Sequence, residues 1–399
     1  MPEILEQLNQ TGAAARLAAL KTIIADEKEP PAALPQYANN HIHTTYSFSP
    51  YSPAAAVYFA RAAGLQTAGI MDHDTIAGAR EFIAAGELTG VATTIGLECR
   101  VSVAGTPLEG RRVNNPDQDS VAYMAIHGVP HTQIDFLQQV FAPLREQRNI
   151  RNRAMLDKIN AMMSPFGIAL DFEADILARS MHADGGCVTE RHLLYALGDK
   201  MQAAFGRNGT AEILENKIGI QLTAKQKRLL TDGQNPYYDY DLLGVLKSGL
   251  VEQIYVPATA ELMHISELVA LAGRTGALLC YSYLGDVGES VTGDKKSQAF
   301  EDSYLDLLFD VIARLGIRAV TYMPSRNNAA QLERLQRLCR EMGMIEISGE
   351  DINSPRQSYI CPQLAQPRFS HLIAATWNLI EREKAETLRQ LGAKRKTDG

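Results

Sequence analysis

Residues 67–103 read TAGIMDHDTIAGAREFIAAGELTGVATTIGLECRVSV. Apolar runs near 67–72 and 92–103 flank a segment that turns helical near Ile76, the pattern of a βαβ unit with parallel strands. The same alternation continues on both sides, with strands expected near 38–43, 120–127, 277–283, 318–323 and 344–349. Between the later strands, Leu305, Leu308, Phe309 and Ile312 recur at helical spacing, as do Leu332, Leu335, Cys339 and Met342. Gly316 and Gly343 then stand where C-terminal caps belong. Together these elements predict an α/β fold, a parallel sheet or barrel.

The alternation stops between 132 and 258, where helix-like segments rich in Arg, Lys, Ala and Leu predict a helical insertion. Residues 1–36 read as a helical arm (Leu5, Leu8, Leu17, Leu20, Ile23, Ile24) and a linker marked by Pro30, Pro31 and Pro35. The barrel is thus assigned to 37–131 and 259–399, and 104–119 and 285–298 read as exposed loops. The 399 residues carry 39 Lys plus Arg against 46 Asp plus Glu, a net charge of -7 that disfavours a nucleic-acid polymer as partner. No apolar run of about 18 residues is present, so no membrane span is expected. The N-terminal stretch lacks the order of a secretory signal, and a cytoplasmic location is expected. Cys99, Cys187, Cys280, Cys339 and Cys361 are odd in number and share no C-x-x-C spacing, which predicts buried free thiols.

The chemistry collects at strand ends. His41 and His43 close the first strand two residues apart, so both imidazoles face one way and can grip one metal ion. The second strand ends in Asp72, His73 and Asp74, where barrels place catalytic groups, although Asp74 or Thr75 can also simply cap the next helix. The third delivers Glu98 inside an apolar stretch, costly unless the carboxylate is paired or ligates a cation. Asp351 repeats that arrangement at the end of the last strand.

On these residues the chain resembles the PHP (polymerase and histidinol phosphatase) phosphoesterases, over roughly residues 37–365, and in particular the branch that hydrolyses nucleotide and oligonucleotide phosphates. NHIHTTYS (40–47) resembles the family's H-x-H motif, AAGLQTAGIMDHDTIAGA (62–79) its second motif and TIGLEC (94–99) its Gly-x-Glu motif. TERHL (189–193) is similar to the Arg-Pro-His segment after the insertion; GIRAVTYMPSRN (316–327) and EISGEDINSP (346–355) are similar to the closing strand motifs. The resemblance implies a distorted (β/α)7 TIM-like barrel with up to three metal ions at its C-terminal mouth.

Four positions depart from the family. Phe48 replaces an acidic or His ligand, Tyr123 (with His127 nearby) a His, Tyr281-Ser282 a His-Pro, and Asn353 the last His. The surviving ligands His41, His43, Glu98 and Asp351 are those the resemblance assigns to one metal, so one divalent ion per chain, Zn, Mn or Fe, is expected. His73 with Asp72 or Asp74 would then supply acid/base and supporting roles. His192, Arg191 and Arg326 would orient an anionic small-molecule substrate, with Arg111 and Arg112 as further candidates. Phe48 and Tyr281 are expected to fill the volume of the lost ions, and the insertion to cover the barrel mouth. The reading is a mononuclear phosphoester hydrolase; an amidohydrolase-like or lyase enzyme, or a non-catalytic metal-binding relative, are the alternatives. His127, His131, His182, His264 and His371 are given no role, His264 being placed on the polar side of a helix.

Overall fold

The computed structural model describes residues 2–288 and 298–397, so most of the loop expected at 285–298 lies outside the described residues. The strands are β1 (Asn39–Ile42), β2 (Thr67–His73), β3 (Ala92–Ser102), β4 (Val121–His127), β5 (Met263–His264), β6 (Leu278–Ser282), β7 (Ala319–Tyr322) and β8 (Ile345–Ser348). Seven of them pair in the order β1-β2-β3-β4-β6-β7-β8, while the two-residue β5, which the sequence did not announce, adds to β3. The ring closes beyond β8, where His43 N donates to Ile352 O (3.0 Å) and Ile352 N to His41 O (3.1 Å). Gly349 permits that approach, since a methyl group there would stand 2.6 Å from His41 Cβ and its backbone nitrogen. The fold is therefore mixed α/β, a nearly closed barrel of seven strands with many helices.

One strand corrects the all-parallel expectation. β4 runs antiparallel to both β3 and β6. A parallel return needs a crossover, usually helical, whereas 103–120 forms turns and folds back, with Val103 N donating to Ser120 O at 3.0 Å.

Alternation along the strands sorts side chains into two layers. Met71, Ala125, Leu278, Cys280, Ala319 and Ile347 form a small inner cluster, joined by Leu379 of the Ser370–Thr397 helix. Ile42, Ala68, Ile70, Leu97, Leu279, Tyr281 and Val320 belong instead to the large core beneath the surrounding helices. A third core lies within the helices Ile134–Met163, Glu190–Ile213, Ala224–Thr231 and Tyr238–Ile254, around Leu156, Leu197, Leu242 and Leu246.

The N-terminal arm is two helices, Pro2–Leu8 and Ala13–Asp26, rather than one. It is anchored by the buried Arg16–Glu81 pair at 2.6 Å. All five cysteines are buried and free. Among the described residues no helix is long and apolar enough to cross a membrane.

Candidate metal centre

His41 and His43 extend from β1, and His73 pairs in register with Glu98 on the neighbouring strand, so those two side chains share a face. His73 has the parity of Met71, which lies in the inner cluster, and the four groups therefore converge inside the barrel. His43 Nε2 is 3.2 Å from His41 Nε2 and 3.2 Å from Glu98 Oε1, while His41 Nε2 is 3.6 Å from the same oxygen. Ligand atoms at ~2.0 to 2.2 Å from one ion stand about 2.8 to 3.6 Å apart in octahedral or tetrahedral geometry. The set His41, His43 and Glu98 has that spacing and can hold a metal ion. Asp351 approaches from one side, its Oδ1 3.2 Å from His43 Nε2. Asn353, at the fourth departure, donates to that same oxygen at 2.6 Å and orients it.

The electrostatics fit a cation. Burial opposes a charged His43, but hydrogen bonds that it donates to the Asp351 and Glu98 carboxylates overcome it and raise its pKa to about 10. Burial likewise pushes Glu98 up, and the imidazoles of His73, His41 and His43 outweigh it, holding the carboxyl well below its usual range. Positive charge is thus stabilised where the two Nε2 atoms meet. His73 Nδ1 is buried, lies 3.0 Å from Glu98 Oε1 and makes no hydrogen bond. Burial pushes its pKa down to about 3, so the ring is neutral at pH 7 with an electron pair to give.

Asp72 does not join this cluster. It has the parity of Ile70 on the outer face of β2 and accepts from Thr44 N (2.7 Å), Thr44 Oγ1 (2.6 Å) and Ser47 Oγ (2.6 Å). Because the Ser47 hydroxyl donates to Asp72, its 3.1 Å contact with His43 Nδ1 has the imidazole N–H donating to it. That fixes His43 with Nε2 free to ligate, the usual support of a metal-binding histidine. Ser47→Ala is therefore expected to weaken metal binding about 10- to 100-fold while the fold is retained, as measured by chelator competition.

Asp74 is also drawn elsewhere. It holds φ 52 and pairs with Arg148 at 2.6 Å, the start of a buried network the sequence did not reveal. Arg148 reaches Glu190 (3.0 Å), Arg151 bonds Glu190 and reaches Glu261 (2.8 Å), and Arg100 of β3 bonds Glu261. Three guanidinium and three carboxylate groups thus join the barrel to the helices 134–163 and 190–213.

The departing positions lie as follows. Tyr281 points to the outer layer, where its hydroxyl donates to buried Glu301 at 3.0 Å, so it does not fill space at the metal centre. Ser282 is the residue of β6 with inward parity there. Tyr123 is near the mouth, its ring 6.0 Å from that of His73, whereas the reversed β4 carries His127 to the opposite end. Phe48, at φ 117, packs on His192 (5.0 Å), Tyr195 (5.6 Å) and Tyr240 (6.0 Å) and borders a cavity of about 400 Å³.

Of the proposed substrate residues, Arg191 donates to Asn353 O at 3.5 Å, and Arg326 donates to Leu284 O at 3.2 Å. His192 is half-buried; its Nδ1 accepts from Thr189 N at 3.0 Å in a capping box, and burial pushes its pKa down to about 3. Arg111 stacks over Tyr304 and Arg112 pairs with Asp119, both within the surface loop. His264 is the N-cap of the 265–275 helix, accepting from Ser266 N at 3.2 Å, and is not on its polar face.

No family model and no curated protein matches the chain. Solved structures do. A Bifidobacterium adolescentis protein, provisionally assigned as a metal-dependent phosphoesterase, superposes with a TM-score of 0.55 at 18% identity, over 87% of this chain and 98% of that one. An amidohydrolase from Chromobacterium violaceum, with bound sulfate and no metal, gives 0.53 at 16% identity, over 85% and 96%. At such identities it is the fold that is shared.

Proposed function

We propose that the chain is a PHP-type metal-dependent hydrolase that cleaves a phosphate ester of a small molecule at a single ion held by His41, His43 and Glu98, with Asp351 completing the set. The observation that carries this reading is the meeting of two imidazole Nε2 atoms and one carboxylate oxygen within 3.2 to 3.6 Å of one another in a buried place. Two nitrogen electron pairs at that distance repel unless positive charge lies between them. A divalent ion bound there supplies Lewis acidity and a water acidic enough to attack at neutral pH.

The chain's own groups supply the rest. His73, whose buried Nδ1 has no hydrogen-bond partner and lies 3.0 Å from Glu98 Oε1, would serve as the proton acceptor. Ser47 and Asp72 hold His43 in its ligating form. Arg191, on the Asn353 carbonyl, and Arg326, on the Leu284 carbonyl just beyond β6, put positive charge at the barrel mouth, which favours a phosphoester over a neutral amide.

The test is turnover by Mn²⁺-, Zn²⁺- or Fe²⁺-loaded protein across phosphomonoesters, nucleotide bisphosphates and amides. Phosphate release that falls by a factor on the order of 100 or more in His73→Ala, the range for a general base, supports the proposal. Amide cleavage without phosphate release would transfer the site to the amidohydrolase-like reading, and no turnover with any metal would leave a binding protein.

A further inference from the structure

The Tyr238–Ile254 helix buries Leu242, Leu243, Leu246 and Leu250 in the insertion's core. A different line of the same helix, Tyr240, Gly244 and Lys247 at i, i+4 and i+7, faces the barrel. Tyr240 fixes the direction, since its ring packs against Phe48 only five residues beyond His43. Next along the line, Gly244 borders open space: a methyl group there would meet nothing within 4 Å. Lys247 then follows. The helix is tied at its start to the stretch after β8 by Arg356–Asp241 (2.7 Å) and just past its end to the 104–119 loop by Tyr255 Oη donating to Gln118 Oε1 (3.0 Å), so the solvent-exposed Lys247 stands between them over the barrel mouth, within electrostatic reach of Arg191, Asp117 and Asp351. Among the described residues no hydrogen bond or ion pair holds its ammonium group.

Arg191 comes to the barrel mouth from the Glu190–Ile213 helix. Its guanidinium lies 5.7 Å from the Phe48 ring and bonds the Asn353 carbonyl, two residues from Asp351. Two cations from two helices therefore stand over the barrel mouth on the side that Asp351 occupies. Enclosure lowers the pKa of both, and the Arg191 guanidinium further disfavours the charge of Lys247. An oxyanion between them would relieve that repulsion.

We propose that Lys247 and Arg191 form the site for the substrate's tetrahedral oxyanion, with Lys247 a substrate-binding residue contributed by the insertion. The substrate class is then a small molecule whose phosphate is gripped by the insertion while its ester faces the metal centre. This rests on the hydrolase reading for the word substrate, but the anion site itself does not.

The experiment measures binding of inorganic phosphate to metal-loaded full-length protein by titration calorimetry, beside metal content and phosphomonoester turnover. Lys247→Met is expected to weaken phosphate binding about tenfold or more, the scale of one charge-assisted contact, with metal content unchanged. Lys247→Arg should keep affinity within about threefold. Asp117→Asn should tighten it, because that carboxylate competes for Lys247 and repels the anion. Phosphate affinity unchanged in Lys247→Met, or no phosphate binding by the unaltered protein, overturns the proposal. If phosphate binding is lost in Lys247→Met but no protein turns over any ester, the anion site stands and the hydrolase reading fails. Turnover with phosphate affinity indifferent to Lys247 keeps the hydrolase reading and overturns the anion site.

Discussion

Replacing Glu98 by alanine is expected to strip the protein of its ion and to reduce hydrolysis about a thousandfold, because a Lewis-acidic ion contributes several kcal/mol to the transition state. Glu98 is the group that links the set: its Oε1 stands 3.2 Å from His43, 3.6 Å from His41 and 3.0 Å from His73. Removing it leaves three imidazoles with Asp351, which reaches His43 alone, as the remaining carboxylate. Added metal should raise the unfolding temperature of the unaltered protein, since an ion that binds only the folded state stabilises it by mass action. It should leave Glu98→Ala unmoved. A Glu98→Ala protein that retains a full equivalent of metal would refute the assignment of this carboxylate.

Arg148→Met should be the most damaging change away from the metal centre, costing ~3 to 5 kcal/mol because it leaves buried carboxylates without their partner. Arg148 is nearly inaccessible and pairs with Asp74 at 2.6 Å and Glu190 at 3.0 Å. Burial already pushes Asp74 above its usual range despite Arg148, so removing the guanidinium raises it further and disfavours the charged carboxylate. Coupling Arg148→Met with Asp74→Asn should therefore recover part of the loss. Urea unfolding of both variants checks this, and a loss below about 1 kcal/mol in the single variant, the range of an exposed pair, would show that the network carries no buried charge.

Some of this is legible in the sequence and some is not, for physical reasons. The barrel strands can be placed because each is a short apolar run ended by polar or turn residues, and His41, His43 and Glu98 are visible because period-two alternation and a carboxylate in an apolar run mark a site. The direction of β4 is hidden, since an apolar strand has no polarity in its composition; it depends on whether the 103–120 connection crosses over or folds back. The inward face of β6 is hidden for a related reason. Leu278–Ser282 is buried on both faces, so nothing in LLCYS distinguishes Cys280 and Ser282 inside from Tyr281 outside. Asp72 and His73, adjacent in sequence, likewise part to opposite faces.

The ion network and Lys247 have fainter signals. Arg145, Arg148, Asn149, Arg151 and Asn152 repeat at helical spacing on the Ile134–Met163 helix and are all buried, a polar stripe that hydropathy patterning assigns to solvent. Their partners Asp74, Glu190 and Glu261 lie 39 to 110 residues away along the chain, beyond any local pattern. A lysine on a helix reads as solvated until the part of the fold it stands over is known.

Everything proposed for catalysis turns on one divalent ion in a site built from His41, His43 and Glu98. Elemental analysis of protein purified without chelator and then reconstituted with Zn²⁺, Mn²⁺ or Fe²⁺ is the decisive measurement. About one tightly held equivalent per chain is expected, lost in His43→Ala and in Glu98→Ala, on the coordination set that the two His and the carboxylate provide. No retained metal with any of the three ions, or three equivalents that survive both substitutions, would refute the single-ion site.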